Sequence, residues 1–362
     1  MIYLITYISV GLYFLFIVFI ISGLFKHKSP KISSSQDLPI VSVVIAARNE
    51  ENNLPDLIYD LVNQEYPLDK LEVVFVDDRS TDLTNRLLSE ASDNYSFIKH
   101  IVIEELSPEM TPKKYALTRG IESAKGEIII STDADCRVGK LWVSSMTYDV
   151  IRCGGISIGF STVSDKKFFD QYQKIDFLGI IAANAGAGGW KQFWSGTGQN
   201  LAYFKNDFLS VDGFEPVKNK ISGDDMYLVQ SISKIKTGSI NIDPNSFVRT
   251  EPMRNIKEFI NQRIRWASNA KLNIKQSPYF FSFLATSLSF NFILLFYFLF
   301  SQNWYLLFLF KFVCDGLVIF MGSKLFSINI KFPAYLLWSA IQPIYIPIIG
   351  FLGVREKFTW KQ

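Results

Sequence analysis

Residues Ile40–Asp82 read IVSVVIAARNEENNLPDLIYDLVNQEYPLDKLEVVFVDDRSTD, and this stretch decides the fold. It opens with an apolar, β-branched run, IVSVVIA (Ile40–Ala46), and closes on a second, EVVFV (Glu72–Val76). Between them NLPDLIYDLVNQ (Asn53–Gln64) carries apolar residues at helical spacing. Short, nearly continuous apolar runs read as strands buried on both faces, and an intervening helix implies a parallel crossover. The pattern continues with IKHIVI (Ile98–Ile103), EIIIST (Glu127–Thr132) and ISIGFST (Ile156–Thr162), and with the helical KKYALTRGIESA (Lys113–Ala124). The expectation is an α/β domain on a largely parallel sheet. Ligands bind such sheets beyond the carboxyl ends of the strands, so the residues just after each run carry the functional reading.

Either side of this block the chain turns apolar. Ile2–Phe25 holds no charge and would be about 36 Å long as a helix, enough to span a bilayer. Lys26, His27, Lys28 and Lys31 follow it, which places that end in the cytoplasm by the positive-inside rule. No basic start, short apolar stretch and small-residue cleavage site mark a removable signal peptide. Tyr279–Phe300 and Phe332–Val354 are further uncharged stretches of spanning length, and Trp304–Phe326 between them contains Lys311 and Asp315. Those two are spaced to pair within one helix, the alternative being that they line an acceptor groove. Phe168–Phe177 and Ile256–Ala267 mix aromatics with charges as interfacial helices do, and AANAGAGGW (Ala182–Trp190) is rich in Gly and Ala. The expected organisation is a spanning helix at 1–25, a linker at 26–39, a catalytic domain at 40–253, and an interfacial segment at 254–277. About three membrane segments at 278–354 and a tail at 355–362 complete it. Pro343, Pro347 and Gln342 suggest that the last segment breaks near 342–347 and returns, leaving the tail on its starting side.

Composition narrows the chemistry. The chain has 362 residues, 49% hydrophobic, with 32 Phe and a positive mean hydropathy, too apolar for an ordinary soluble enzyme. A net charge of +3 without a basic, aromatic-studded stripe argues against nucleic acid as a partner. Cys136, Cys153 and Cys314 form no CxxC pair and the histidines are two, His27 and His100, so neither a zinc site nor a Ser-His or Cys-His nucleophile is supplied. Carboxylates must do the work.

They stand where ligands bind. Arg48, Asn49 and Glu50 follow the first strand, and Asp77 and Asp78 follow the second, where their repulsion must be offset by a ligand, donors or a cation. Asp82 reads equally well as a helix cap. The fourth run ends in STDADC, with Asp133 and Asp135 on one side of an extended segment. Such a pair can hold Mg²⁺ or Mn²⁺ through hard oxygen ligands and so stabilise a departing nucleotide diphosphate. GTGQNLAY (Gly196–Tyr203) offers either close backbone approach to a ligand or a tight turn before a strand. Asp224 and Asp225 precede an apolar segment; Asp224 competes as a helix cap, and Asp225 is the stronger general base for an acceptor hydroxyl. In INQRIRWASNA, Gln262, Arg263, Arg265 and Trp266 form either a basic interfacial helix or, through Arg265, a diphosphate clamp.

Taken in order, VSVVIAARNEE, VDDRSTD, KKYALTRGIESAKGEIIISTDADC, GTGQNLAYFKNDFLSVDGF, the Asp224–Asp225 pair and QRIRW closely resemble the membrane-bound family-2 glycosyltransferases. That group includes cellulose, chitin and hyaluronan synthases and ceramide glucosyltransferase-like enzymes. The resemblance covers about Ile40–Lys271 and the flanking apolar segments. It implies the Rossmann-like GT-A fold. It also implies a nucleotide-sugar pocket with Ala47, Glu50, Asp77, Asp78 and Lys113, and a metal motif at Asp133 and Asp135, with Asp135 the direct ligand. Asp225 takes the place of the family's base, and Gln262, Arg265 and Trp266 that of its QxxRW motif. Family members invert configuration: the base deprotonates an acceptor hydroxyl, which displaces the nucleotide in one step. UDP is the family's usual nucleotide.

Two departures matter. Asp224 stands where the family usually has Glu, and the apolar segments are few for a polymer channel. The second favours a lipid or short-oligosaccharide acceptor at the cytoplasmic face of the cell membrane over processive polysaccharide synthesis. Two rivals from other classes are a nucleotidyltransferase and an inactive membrane scaffold. The first leaves QRIRW unexplained, and the second leaves Asp135, Asp225 and Arg265 unexplained.

Overall fold

The computed structural model describes residues 2–28 and 38–355; most of the expected linker and the tail beyond Arg355 lie outside the described residues. The chain forms two compact units. One comprises residues 27–162 and 195–251, the other residues 1–26, 163–194 and 252–362.

The first unit is built on strands β1 (Val41–Ala47), β2 (Leu71–Asp78), β3 (Ile98–Ile103), β4 (Ile128–Ser131), β5 (Cys136–Val138), β6 (Ile156–Gly159), β7 (Ser161–Val163), β8 (Leu201–Phe204), β9 (Gly238–Asn241) and β10 (Val248–Thr250). Seven form one sheet in the order β3-β2-β1-β4-β8-β6-β9, and β5-β10-β7 form a second. The first four pair in parallel, as the alternation of runs and helices requires. All eight residues of β2 are buried, because helices cover both faces. Val41, Val43, Ile45, Val73 and Phe75 pack with Leu54, Leu57 and Leu61 of the Leu54–Val62 helix and with Trp142 and Met146. Each such side chain contributes about 1.5–3 kcal/mol of burial.

Beyond β4 the sheet departs from the expected parallel pattern. β8 lies antiparallel between β4 and β6, and β9 closes the sheet parallel to β6. ISIGFST is two strands in two sheets. The carbonyl of Phe160 turns away from the large sheet to accept from the backbone of Val248 (3.0 Å) and from Asn200 Nδ2 (2.8 Å). Asn200, fully buried, also binds Trp142 Nε1 and the carbonyl of Ser246.

Four helices of the second unit are long and apolar enough to cross a membrane: Tyr3–Leu24, Pro278–Phe300, Trp304–Leu325 and Phe332–Val354. The first and second run antiparallel, with Phe16 on Phe283, Tyr13 on Phe290 and Thr6 bonded to Tyr297. Lys311 and Asp315 pair within their helix as expected, and the hydroxyl of Tyr13 joins Asp315. The Gly/Ala-rich segment is the end of a 22-residue helix, Phe168–Gly189. A Cβ at Gly186 would lie 2.5 Å from the carbonyl oxygen of Ile20, and one at Gly189 would lie 2.1 Å from that of Gly23. Small residues here let two backbones touch, as at helix crossings in membranes.

Phe332–Val354 corrects the expectation of a break. It is one continuous helix through Pro343 and Pro347. Packing holds it on either side of the prolines: Trp338 and Tyr345 donate to Asp176, Leu288 fills the space beside Gly350, and Ala267 that beside Gly353. Neighbouring helices thereby hold the backbone that the prolines leave short of donors. Tyr335 meets Phe312 and Gly316, and Gly179 packs against both Ile319 and Trp338. The helix therefore runs parallel to Trp304–Leu325 and ends beside the segment that leads into Pro278, where Lys271 Nζ donates to the carbonyl of Val354 (3.0 Å).

Candidate active site

In the first unit the strand ends gather the acidic residues. Ala47 closes β1 in register with Asp77 on β2. Asp77 is buried and accepts from the backbone of Ser80 and from Asn85 Nδ2, both at 3.0 Å. Asp78 pairs with Arg79, whose Nε lies 2.8 Å away and whose φ of 57° turns the chain back on itself. The repulsion between these two acids is thus offset by donors and a cation of the chain itself. The backbone N–H of Glu50 donates to Thr84 (2.8 Å), and its carboxylate accepts from Asn53. Asp82 accepts from the backbone N–H groups of Thr84 and Glu51 in the turn before the Thr84–Asn94 helix, whose cap position is Leu83 rather than Asp82.

Asp133 and Asp135 do not lie on an extended segment. The chain turns there, closed by the backbone N–H of Cys136 on the carbonyl of Asp133 (3.2 Å), because β5 starts at once. The turn keeps both carboxylates partly exposed while Ala134 is buried. Both charges reach Cys136: burial, reinforced by Asp133 and Asp135, pushes its thiol well above the usual range. Lys113 meets Asp133 at 2.6 Å.

Asp224 and Asp225 open the Asp224–Ile235 helix behind Gly223, which takes the left-handed conformation (φ 87°) at the cap. Asp224 is therefore inside the helix rather than capping it. Asp225 accepts from its neighbour's N–H (Met226, 2.7 Å) and from the backbone N–H of Gly198 (3.2 Å). The turn reading of GTGQNLAY holds: Asn200 N–H closes a turn on Thr197 before β8, and the N–H of Gly198 within it meets the Asp225 carboxylate. Burial, with the charge of Asp224 beside it, raises the pKa of Asp225 to about 6; the Met226 N–H, the positive charge of Lys113 and the Gly198 N–H act in the opposite direction. Lys113 therefore lies within electrostatic reach of both Asp133 and Asp225 and ties the two acidic motifs into one site. A small hollow lined by Ser131, Gly198, Tyr203, Asp224 and Asp225 adjoins them.

Lys114, next to Lys113 in KKYALTRGIESA, has no role in the expectations from the sequence. Its side chain is buried, donates to the carbonyl of Lys220, and sits 3.9 Å from Asp224. Burial lowers its pKa while Asp224 and Asp225 pull it back up. The doubled lysine was its only signal.

Gln262, Arg265 and Trp266 lie on the Ile256–Ala267 helix of the second unit. Its two arginines differ. Arg265 is half-buried, whereas Arg263 is buried, paired with Asp176 at 2.7 Å and stacked on Phe259 and Trp266. Asp176 and Arg263 had no assigned role in the sequence.

Among the described residues no three Asp, Glu, His or Cys side chains converge as a metal cluster. The donor set at Asp133 and Asp135 nevertheless fits Mg²⁺ or Mn²⁺, which such sites hold through one or two carboxylates with substrate phosphates completing the shell. Known proteins agree with this arrangement of elements. The family described as Glycosyl transferase family 2 matches residues 42–219. The chain carries a family 2 glycosyltransferase domain. It is similar to the probable glycosyltransferase YdaM of Bacillus subtilis, 27% identical over 90% of this chain and 78% of that one. A beta-monoglucosyldiacylglycerol synthase of Nostoc sp. is 37% identical over 31% of this chain, but only 23% of that protein is spanned. The solved structure of the mannosyltransferase PcManGT from Pyrobaculum calidifontis, in complex with GDP-Man and Mn²⁺, superposes with a TM-score of 0.61. It covers 97% of this chain and 99% of that one at 17% identity, which establishes the shared GT-A fold. The chain is a glycosyltransferase.

Proposed function

We propose that the chain transfers a sugar from a nucleotide diphosphate to a lipid or short-oligosaccharide acceptor, with inversion, at the cytoplasmic face of the cell membrane. The observation that supports this most is the position of Lys113, paired with Asp133 and acting on Asp225, whose pKa burial and Asp224 raise to about 6. The donor enters beyond β1 and β2, near Ala47, Glu50, Asp77 and Asp78, with UDP as its nucleotide. Asp225 takes the proton of the acceptor hydroxyl as that oxygen attacks the anomeric carbon. Asp133 and Asp135 would hold Mg²⁺ or Mn²⁺, which when bound neutralises the diphosphate leaving group. A lipid acceptor is supported by the four apolar helices and by the likeness to the Nostoc diacylglycerol-linked synthase.

Arg265 is assigned to the diphosphate, with Gln262 and Trp266 beside it. The guanidinium offers a planar fork to two oxygens, which lysine lacks. Arg265→Lys is therefore expected to lose about tenfold or more in kcat despite its retained charge. Activity near that of the unaltered protein, measured by nucleotide release with acceptor present, would reduce Arg265 to an interfacial cation.

The tail is assigned to the same side as Lys26. Phe332–Val354 ends at Lys271, and the Leu24 end of the first helix lies at the Pro278 end of its antiparallel neighbour. With Thr359→Cys as the sole cysteine, a membrane-impermeant thiol reagent should leave intact cells unlabelled and label opened ones. Labelling of intact cells would place the tail outside.

A further inference from the structure

We propose that Asp176 and Arg263 are positioning residues that set the side chains of Gln262 and Trp266. This rests on the reading of Gln262, Arg265 and Trp266 as donor-binding. Four contacts within the second unit carry it. Arg263 Nε donates to Asp176 Oδ2 (2.7 Å), and its Nη1 donates to the side-chain oxygen of Gln262. Its guanidinium carbon lies 4.2 Å from the Trp266 ring centroid and 4.4 Å from that of Phe259. One planar group thus bonds to Gln262 on the same helix and stacks on Trp266 one turn away.

Asp176 in turn is fixed from a third helix. Trp338 Nε1 donates to its Oδ1 at 3.0 Å, and the hydroxyl of Tyr345 approaches its Oδ2 at 3.5 Å. Asp176 is 5% and Arg263 is 5% exposed, so neither side chain is placed to meet a substrate directly. A buried ion pair is weak evidence for stability, since apolar residues of similar volume often serve as well. What such residues cannot do is orient the carboxamide of Gln262. Arg263 bonds Asp176 and Gln262 through two separate nitrogens, Nε and Nη1, and the one ammonium of a lysine cannot stand at both positions.

A double-mutant cycle tests this on the full-length protein in detergent or nanodiscs. Gln262→Ala, Arg263→Lys and the pair are compared for kcat, for donor KM and for thermal midpoint. Arg263→Lys is expected to keep its thermal midpoint yet lose roughly tenfold in kcat/KM, and the pair to lose less than the product of the two single losses, the remainder reporting on Trp266. Multiplying losses, or an Arg263→Lys enzyme of full activity, overturns it. An active Gln262→Ala enzyme overturns the donor-binding reading itself and this inference with it, so the two failures are told apart. Should Arg263→Lys not fold, Asp176→Asn with Arg263→Met removes the charge pair while keeping an acceptor for Trp338. That folded pair is expected to be inactive, and its full activity would equally overturn the proposal.

Discussion

Asp225→Asn is expected to lower turnover roughly 10²–10⁴-fold while leaving donor affinity within a few-fold, because general-base catalysis contributes about that much. The N–H groups of Gly198 and Met226 bond different oxygens of Asp225, so the carboxamide, of the same shape, keeps one of the two bonds, and a thermal melt of the variant separates that loss from lost catalysis. What is lost is the ability to accept a proton from the acceptor. The raised pKa supplies a second signature. Deprotonated Asp225 is the active form, so kcat/KM should be flat above its pKa of about 6 and fall as pH drops through it. The substitution should abolish that limb in whatever activity remains. Near-normal turnover, with the acidic limb intact, would remove Asp225 from the mechanism.

Chelation is expected to abolish activity, and Asp135→Ala to lose donor binding together with turnover. Asp135 is the carboxylate that the family resemblance makes the direct metal ligand, and the turn after β4 leaves it partly exposed. An ion that bridges protein and diphosphate serves both binding and leaving-group stabilisation, so its loss should not separate the two. Calorimetric titration of the donor nucleotide with and without Mg²⁺ or Mn²⁺ checks binding apart from turnover. Full activity in excess EDTA would sink the metal assignment, and so would unchanged donor affinity in Asp135→Ala.

The parallel half of the sheet was legible because its central strands are buried on both faces and their sequence says so: β2 (Leu71–Asp78), buried throughout, contains the run Glu72–Val76. The antiparallel β8 was not. Four residues, Leu201–Phe204, carry too little pattern to reveal a pairing partner far along the chain. Asp133 and Asp135 were found for their position after a strand, but the turn that presents them was missed, since nothing in STDADC announces that β5 begins at Cys136. The prolines of the last helix read as a break because proline's cost is local, while the compensating contacts at Asp176, Leu288 and Ala267 are remote in sequence. The same remoteness hid the Asp176–Arg263 pair, 87 residues apart. The adjacent lysines show the limit most clearly: Lys113 and Lys114 differ in the sequence only by helical phase, and that phase points one at Asp133 and buries the other.

Inverting transfer from a nucleotide diphosphate sugar to a lipid or short glycan is tested by incubating the purified protein with a panel of radiolabelled α-linked nucleotide sugars and native lipid extract, followed by linkage analysis of the labelled product. One donor is expected to yield a labelled glycolipid or oligosaccharide with a β-linkage, dependent on Asp225. An α-linked product, or no labelled acceptor from any donor despite tight nucleotide binding, would contradict it.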